Sequence, residues 1–235
     1  MLAPDQRVIM ISGASRGIGL ACARELARLG YRLSLGVRSP DAVDRSGLGD
    51  DLLVCHWDAL DKASAAAWTN ATHDHFGRID GLVLNAGILN KVGLEDDDDE
   101  ALDAMWNVNV KGPLALVRAA LPALRASGHG RVITLASLAG KRVLSPASFG
   151  YSASKFAAMA LSHALRQAGW ADGVRGTAIC PGLVETDMTA GVTPPAGQFM
   201  IQPETIAATV AYALSLPNEA AVAEILVNSR LEFAQ

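Results

Sequence analysis

Short aliphatic and β-branched runs alternate along this chain with longer helical patterns. Arg7-Val-Ile-Met-Ile-Ser12 reads as a buried strand, followed by a glycine turn and a helix from about Arg16 to Leu29. Arg32–Val37 is a second strand and Asp51–Trp57 a third. An alanine-rich helix over Lys62–Phe76 and a strand over Gly81–Asn85 follow. A long helix is predicted from Glu100 to Ala126, with Pro113 and Pro122 marking kinks or a break, because proline lacks an N–H and crowds the preceding turn. Then come a strand over Arg131–Leu135, a helix from Tyr151 to about Ala168, a strand over Val174–Ile179, a helix over Pro203–Leu216 and a last strand over Glu224–Val227. Strands separated by helices predict an α/β protein: a doubly wound parallel sheet of about seven strands with helices on both faces. Ser39–Asp50 is too short and too rich in Gly, Ser and Asp for a full crossover helix, so a stub is expected there. With no repeat, linker or composition shift, residues 1–235 are expected to form a single domain.

Composition narrows the picture. The chain has 235 residues, 50% of them hydrophobic and 19% charged, enough to bury a large core. A net charge of −4 and a pI near 5.7 argue against a nucleic-acid partner. Cys22, Cys55 and Cys180 lack metal-like spacing and read as reduced thiols, with no metal site expected. Asp5 and Arg7 interrupt any apolar leader, and no run of about 18 apolar residues offers a membrane span. The expectation is a soluble, cytoplasmic protein with no membrane partner.

Ser12-Gly-Ala-Ser-Arg-Gly-Ile-Gly19 lies between the first strand and the first helix, the context in which a glycine turn binds phosphate. Gly13 takes the tight turn, Gly17 lets backbone approach a pyrophosphate, and Gly19 lets the helix pack close to the sheet. The helix start then offers free N–H groups and partial positive charge to the anion; Ser15 and Ile18 are counted with the same site. The second strand ends in Val37 and Arg38, without the carboxylate that would grip ribose hydroxyls. Arg38, helped by Arg16, suits a ribose phosphate instead, which favours NADP(H) over NAD(H). Asp58 is placed to contact the adenine amine.

Tyr151-Ser-Ala-Ser-Lys155 sets a phenol and an amine one helical turn apart on one face. An ammonium beside a phenol favours the phenolate, so the expected effect is a tyrosine pKa lowered from ~10 toward neutrality. His73 and His75 are alternate helix positions that point apart, and read as surface residues rather than ligands. The run Glu95–Glu100 places negative charge at the start of the long helix, where its dipole favours it.

Together these motifs resemble the short-chain dehydrogenase/reductase family in its compact single-domain branch, along nearly the whole chain. The glycine turn matches, with Ser12 where many members carry Thr. Leu84-Asn85-Ala86-Gly87 resembles the family's Asn-Asn-Ala-Gly element, and Asn109 its helix asparagine. Ser137, Tyr151 and Lys155 match its catalytic residues, and Pro181-Gly182-Leu-Val184-Glu-Thr186 its turn over the nicotinamide. The resemblance implies a Rossmann-like fold and an oxidoreductase interconverting a small-molecule carbonyl and alcohol. In it Tyr151 is the general acid/base, Lys155 tunes the tyrosine and holds the nicotinamide ribose, and Ser137 bonds the carbonyl oxygen. Asn109 holds a water that links Lys155 to solvent, while Thr186 and the backbone near Val184 orient the carboxamide. It implies a homodimer or homotetramer. Ser145, Ser148, Ser152 and Ser154 compete with Ser137, and Asn107 with Asn109, but position after a buried strand and the following Val-Lys-Gly favour the family's choices. The chain departs from the pattern in a short Asp187–Gln202 lid and in lacking the Asp-Gly-Gly that often follows the last strand. A non-catalytic NADP-binding sensor is the alternative, and it has no need of a proton relay.

Overall fold

A computed structural model describes residues 1–143, 145–194 and 199–229. Its strands are β1 (Val8–Ser12), β2 (Arg32–Val37), β3 (Leu52–His56), β4 (Gly81–Leu84), β5 (Arg131–Leu135), β6 (Arg175–Pro181) and β7 (Glu224–Val227). All are parallel, in the order β3-β2-β1-β4-β5-β6-β7, with Ile9 in register between Leu33 and Gly81. The helices are α1 (Gly17–Arg28), α2 (Lys62–Phe76), α3 (Asp99–Trp106), α4 (Gly112–Ala126), α5 (Phe149–Gly169) and α6 (Pro203–Ser215).

Alternation along each strand builds two cores. Ile9, Ile11, Leu33, Leu35, Val83 and Ile133 face one side, against Leu26 of α1 and Val210 and Leu214 of α6. Met10, Leu82, Leu84 and Val132 face the other, against Trp68 of α2, Leu116 and Ala120 of α4 and Leu165 of α5. Strands buried on both faces read as continuous apolar runs, the signal present in the sequence. Each fully buried Leu or Ile contributes about 1.5–3 kcal/mol.

The chain leaves β1 for β2 and β3 on one side and returns to β4 on the other. The connections after β1 and β4 therefore diverge, opening a crevice at the carboxyl ends of those strands.

The predicted long helix contains a local change of winding. Residues 107–111 form a π-helical turn between α3 and α4, in which the Gly112 N–H bonds the Asn107 carbonyl five residues back. Pro113 supplies the reason, since it has no N–H to offer the carbonyl four residues earlier, that of Asn109. Pro122 lies inside α4, which continues to Ala126. Asp98 caps α3 by accepting from the Ala101 N–H at 2.9 Å, with Asp99 and Glu100 in the first turn. Between β2 and β3 stands only a single 3-10 turn over Pro40–Ala42. Among the described residues, no helix is long and apolar enough to cross a membrane, and no group of three His, Cys, Asp or Glu is placed to hold a metal.

Candidate active site

A cavity of about 640 Å³ occupies the crevice, and runs from the glycine turn to Tyr151. Of the residues singled out from the sequence, it is lined by Gly13, Ser15, Arg16, Gly17, Ile18, Arg38, Asp58, Asn85, Ala86, Gly87, Tyr151, Lys155, Pro181 and Thr186. Gly19, Asn109, Ser137, Gly182 and Val184 are not among its lining residues.

At the phosphate end, Gly13 and Gly17 have φ of +68° and +53°, conformations that L side chains rarely adopt. A Cβ on Gly13 would approach Ala86 Cα to 2.9 Å, and one on Gly17 would approach the Thr186 methyl to 3.3 Å. A Cβ on Gly19 would collide with the Gly13 carbonyl, so that glycine lets α1 pack against the turn. Arg16 is the N-cap of α1 and its side chain makes no capping bond, nor is there an acidic residue in the first turn. The helix start thus presents uncapped N–H groups and its dipole to the cavity, the arrangement a pyrophosphate needs. The residues present fit a dinucleotide.

Beside the turn, Arg38 lines the cavity with an exposed guanidinium that has no partner among the described residues; its carbonyl accepts from His56 Nδ1 at 2.9 Å. Arg16 lines the cavity too, but already has a partner. Its guanidinium pairs with Asp187 at 2.9 Å, joining the glycine turn to the segment after Thr186, with both side chains 71% exposed. Asp58 takes the Leu60 N–H on Oδ1 at 2.9 Å, which leaves its second oxygen for a ligand.

The β4 end is tied to the turn by side chains. Asn85 Nδ2 donates to the carbonyls of Ser12 and Gly13, each at 3.0 Å. Ser12 Oγ accepts the N–H groups of Asn85 and Ala86 at 3.0 and 3.2 Å. Asn109, buried in the π turn, clamps Ile88: Oδ1 accepts its N–H at 2.8 Å and Nδ2 donates to its carbonyl at 2.9 Å. That amide is spent on backbone, with a further bond to Ser154 Oγ at 3.0 Å. A Cβ on Gly87 would meet Asn109 Oδ1 at 3.2 Å and Lys155 Nζ at 3.7 Å, so Gly87 leaves the gap between them.

At the far end, α5 presents Tyr151 and Lys155 one turn apart. Lys155 Nζ donates to the Leu135 carbonyl at 2.9 Å and lies 5.7 Å from the Tyr151 ring centroid. Burial pushes Tyr151 up to about 12, and its hydrogen bond with Ser137 pulls the other way. Burial pushes Lys155 down to about 8. The expected lowering of the phenol by its lysine is therefore not the balance in the free protein: desolvation outweighs it, because the amine is spent on a carbonyl and sits beyond hydrogen-bond reach of the phenol. Ser137 follows β5 and caps the next turn by accepting from the Ala139 N–H at 3.1 Å.

Pro181 and Thr186 line the cavity, whereas Gly182 and Val184 hold the loop that carries them. Gly182 N–H bonds the Val227 carbonyl at 2.8 Å, and the Val184 carbonyl accepts from Thr189 Oγ1 at 2.6 Å. Of the Asp187–Gln202 lid, residues 195–198 lie outside the described residues. Sequence reasoning passed over Ser12 as an anchor, although its place at the strand end was the signal. It also passed over Asp187, whose partner is 171 positions away.

The crevice and glycine turn define the class, a dinucleotide-binding α/β protein. The family model described as short chain dehydrogenase matches residues 7–196. Agropine synthesis reductase of Rhizobium rhizogenes is 42% identical over 219 residues, which is 92% of this chain and 50% of that protein. The chain thus spans about half the length of that relative. An uncharacterized oxidoreductase of Staphylococcus haemolyticus is 34% identical over 94% of this chain and 96% of its own length. Among solved structures, an alcohol dehydrogenase from the archaeon Thermococcus sibiricus, complexed with 5-hydroxy-NADP, is 32% identical with a TM-score of 0.87, over 97% of this chain and 99% of that one. The chain belongs to the short-chain dehydrogenase/reductase family.

Proposed function

We propose that this protein is an NADPH-preferring reductase that converts a ketone or aldehyde to an alcohol, with Tyr151 as the acid. The observation that carries the reading is that Tyr151 and Lys155, one turn apart on α5, line the same cavity as an uncapped glycine turn. When bound, NADPH supplies a hydride to the carbonyl carbon. Tyr151 gives its proton to the carbonyl oxygen, and Ser137 donates a hydrogen bond to that oxygen as charge builds on it. Lys155 faces the phenolate left behind with a positive charge. A phenol held at about 12 carries its proton at neutral pH, the form a general acid needs. Asn109 keeps the Ile88 strip in place beside Lys155, and its carbonyl, denied an N–H from Pro113, is a site for the water that returns the proton.

Arg38 supports the coenzyme preference, since its unpaired guanidinium lines the cavity where β2 ends. The 5-hydroxy-NADP bound in the archaeal relative supports it further. We place the protein in the cytoplasm as a homodimer or homotetramer, by analogy with its family. The test is NADPH oxidation across a panel of aldehydes and ketones, with NADH alongside. Turnover faster with NADPH is expected; cofactor binding without turnover of any carbonyl would support the sensor instead.

A further inference from the structure

A second cavity, of about 320 Å³, meets the first at Tyr151, and its wall includes Lys91. Resting on the reductase reading above, we propose that this cavity holds the body of the substrate and that Lys91 selects substrates with a carboxylate or similar anionic group remote from the carbonyl.

Most of the polar wall is already committed. Asn90 Nδ2 is turned onto the Ala101 carbonyl at 3.3 Å. Ser148 Oγ is spent on Ser145, donating to its carbonyl at 2.8 Å and accepting its N–H at 3.2 Å. Leu89 and Ala147 supply apolar surface. Lys91 is the single cation on this wall, and its ammonium has no hydrogen-bond or ion-pair partner among the described residues.

That freedom is informative because Glu95–Glu100 begins four residues further on. None of those carboxylates lines the cavity. Asp96 instead accepts the Gly93 N–H at 2.7 Å, and Asp98 caps α3. Neither of these two carboxylates therefore pairs with Lys91. A carboxylate in the cavity would pair with the Lys91 ammonium. Lys91 is exposed, so its pairing energy is that of a partly screened ion pair, giving a preference of about fivefold.

The experiment compares three aldehydes of similar shape with NADPH: para-formylbenzoate, para-tolualdehyde and para-(trimethylammonio)benzaldehyde. The wild-type protein is expected to show a KM for the benzoate about fivefold below that of the neutral aldehyde, with the cationic one poorest. Lys91→Ala should bring the KM ratio of benzoate to tolualdehyde close to one, and Lys91→Arg should retain it. The ratio is compared between proteins, so differences in carbonyl reactivity cancel. Equal KM values, preference for the cation, or a ratio that survives Lys91→Ala would overturn the role of Lys91 and leave the reductase reading standing. Absence of hydride transfer to all three would overturn both.

Discussion

Lys155 Nζ is fixed by a 2.9 Å hydrogen bond to the Leu135 carbonyl, at the end of β5, and stands 5.7 Å from the Tyr151 ring. Holding an ammonium there is costly, since burial moves Lys155 from 10.5 to about 8. A shift of that size corresponds to about 3 kcal/mol. Lys155→Met removes the buried charge and loses one hydrogen bond worth about 1 kcal/mol. At pH 7 the variant should be more stable by about 2 kcal/mol in urea denaturation, while losing reductase activity. The amine is charged in both folded and unfolded chains below pH 8, so the penalty is fully present there. It fades as pH rises from about 8 to 10.5, and the variant's advantage should fade with it. A destabilised variant at pH 7 would show that the lysine contributes to folding rather than opposing it.

The same values set the pH dependence of the reaction. Tyr151 keeps its proton to about 12, and Lys155 keeps its charge only to about 8. The kcat/KM for carbonyl reduction should be level below pH 8 and fall above it as the ammonium is lost. Alcohol oxidation, which needs the phenolate, should instead rise with pH. A reduction profile level to pH 10 would contradict the part assigned to Lys155.

Much of this was legible in the sequence because parallel strands buried on both faces announce themselves. The runs ending in Ser12, Val37 and Leu135 were placed correctly at their carboxyl ends, and those ends position the site. Pro113 signalled a disturbed helix but not its form, because a π turn depends on which N–H groups can reach which carbonyls. The balance at Tyr151 was misjudged because desolvation comes from packing, which spacing between two residues does not report. Asn109 was identifiable by its context, yet the Ile88 backbone that occupies its amide lies 21 positions away. Arg16 was read as able to reach the ribose phosphate beside Arg38; its pairing with Asp187 was not legible because it joins loops that are distant in sequence.

Coenzyme choice should follow Arg38. Arg38→Asp should weaken NADPH binding by about tenfold or more and leave NADH within about threefold, because only the former loses a charge-assisted pair. Asp187→Asn releases Arg16 and should tighten NADPH by at most about fivefold, the ceiling for an exposed ion pair. Titration of both cofactors by fluorescence checks this, and equal losses for the two in Arg38→Asp would count against the preference.

Gly19→Ala tests the packing of α1 on the glycine turn. Its Cβ would collide with the Gly13 carbonyl and come within 2.5 Å of Asn85 Nδ2, so the turn must shift. Overpacking of this kind costs about 1–3 kcal/mol, and cofactor affinity should fall with stability. Thermal denaturation with and without NADPH reads both, and an unchanged Tm would contradict the close approach.

The central claim is that the Tyr151 phenol is the proton donor, and Tyr151→Phe tests it most directly. NADPH consumption with an accepted carbonyl should fall by about 10²–10⁴-fold, the range for loss of a general acid, while NADPH binds with near wild-type affinity. A Tyr151→Phe protein that reduces the carbonyl at the wild-type rate would contradict the account.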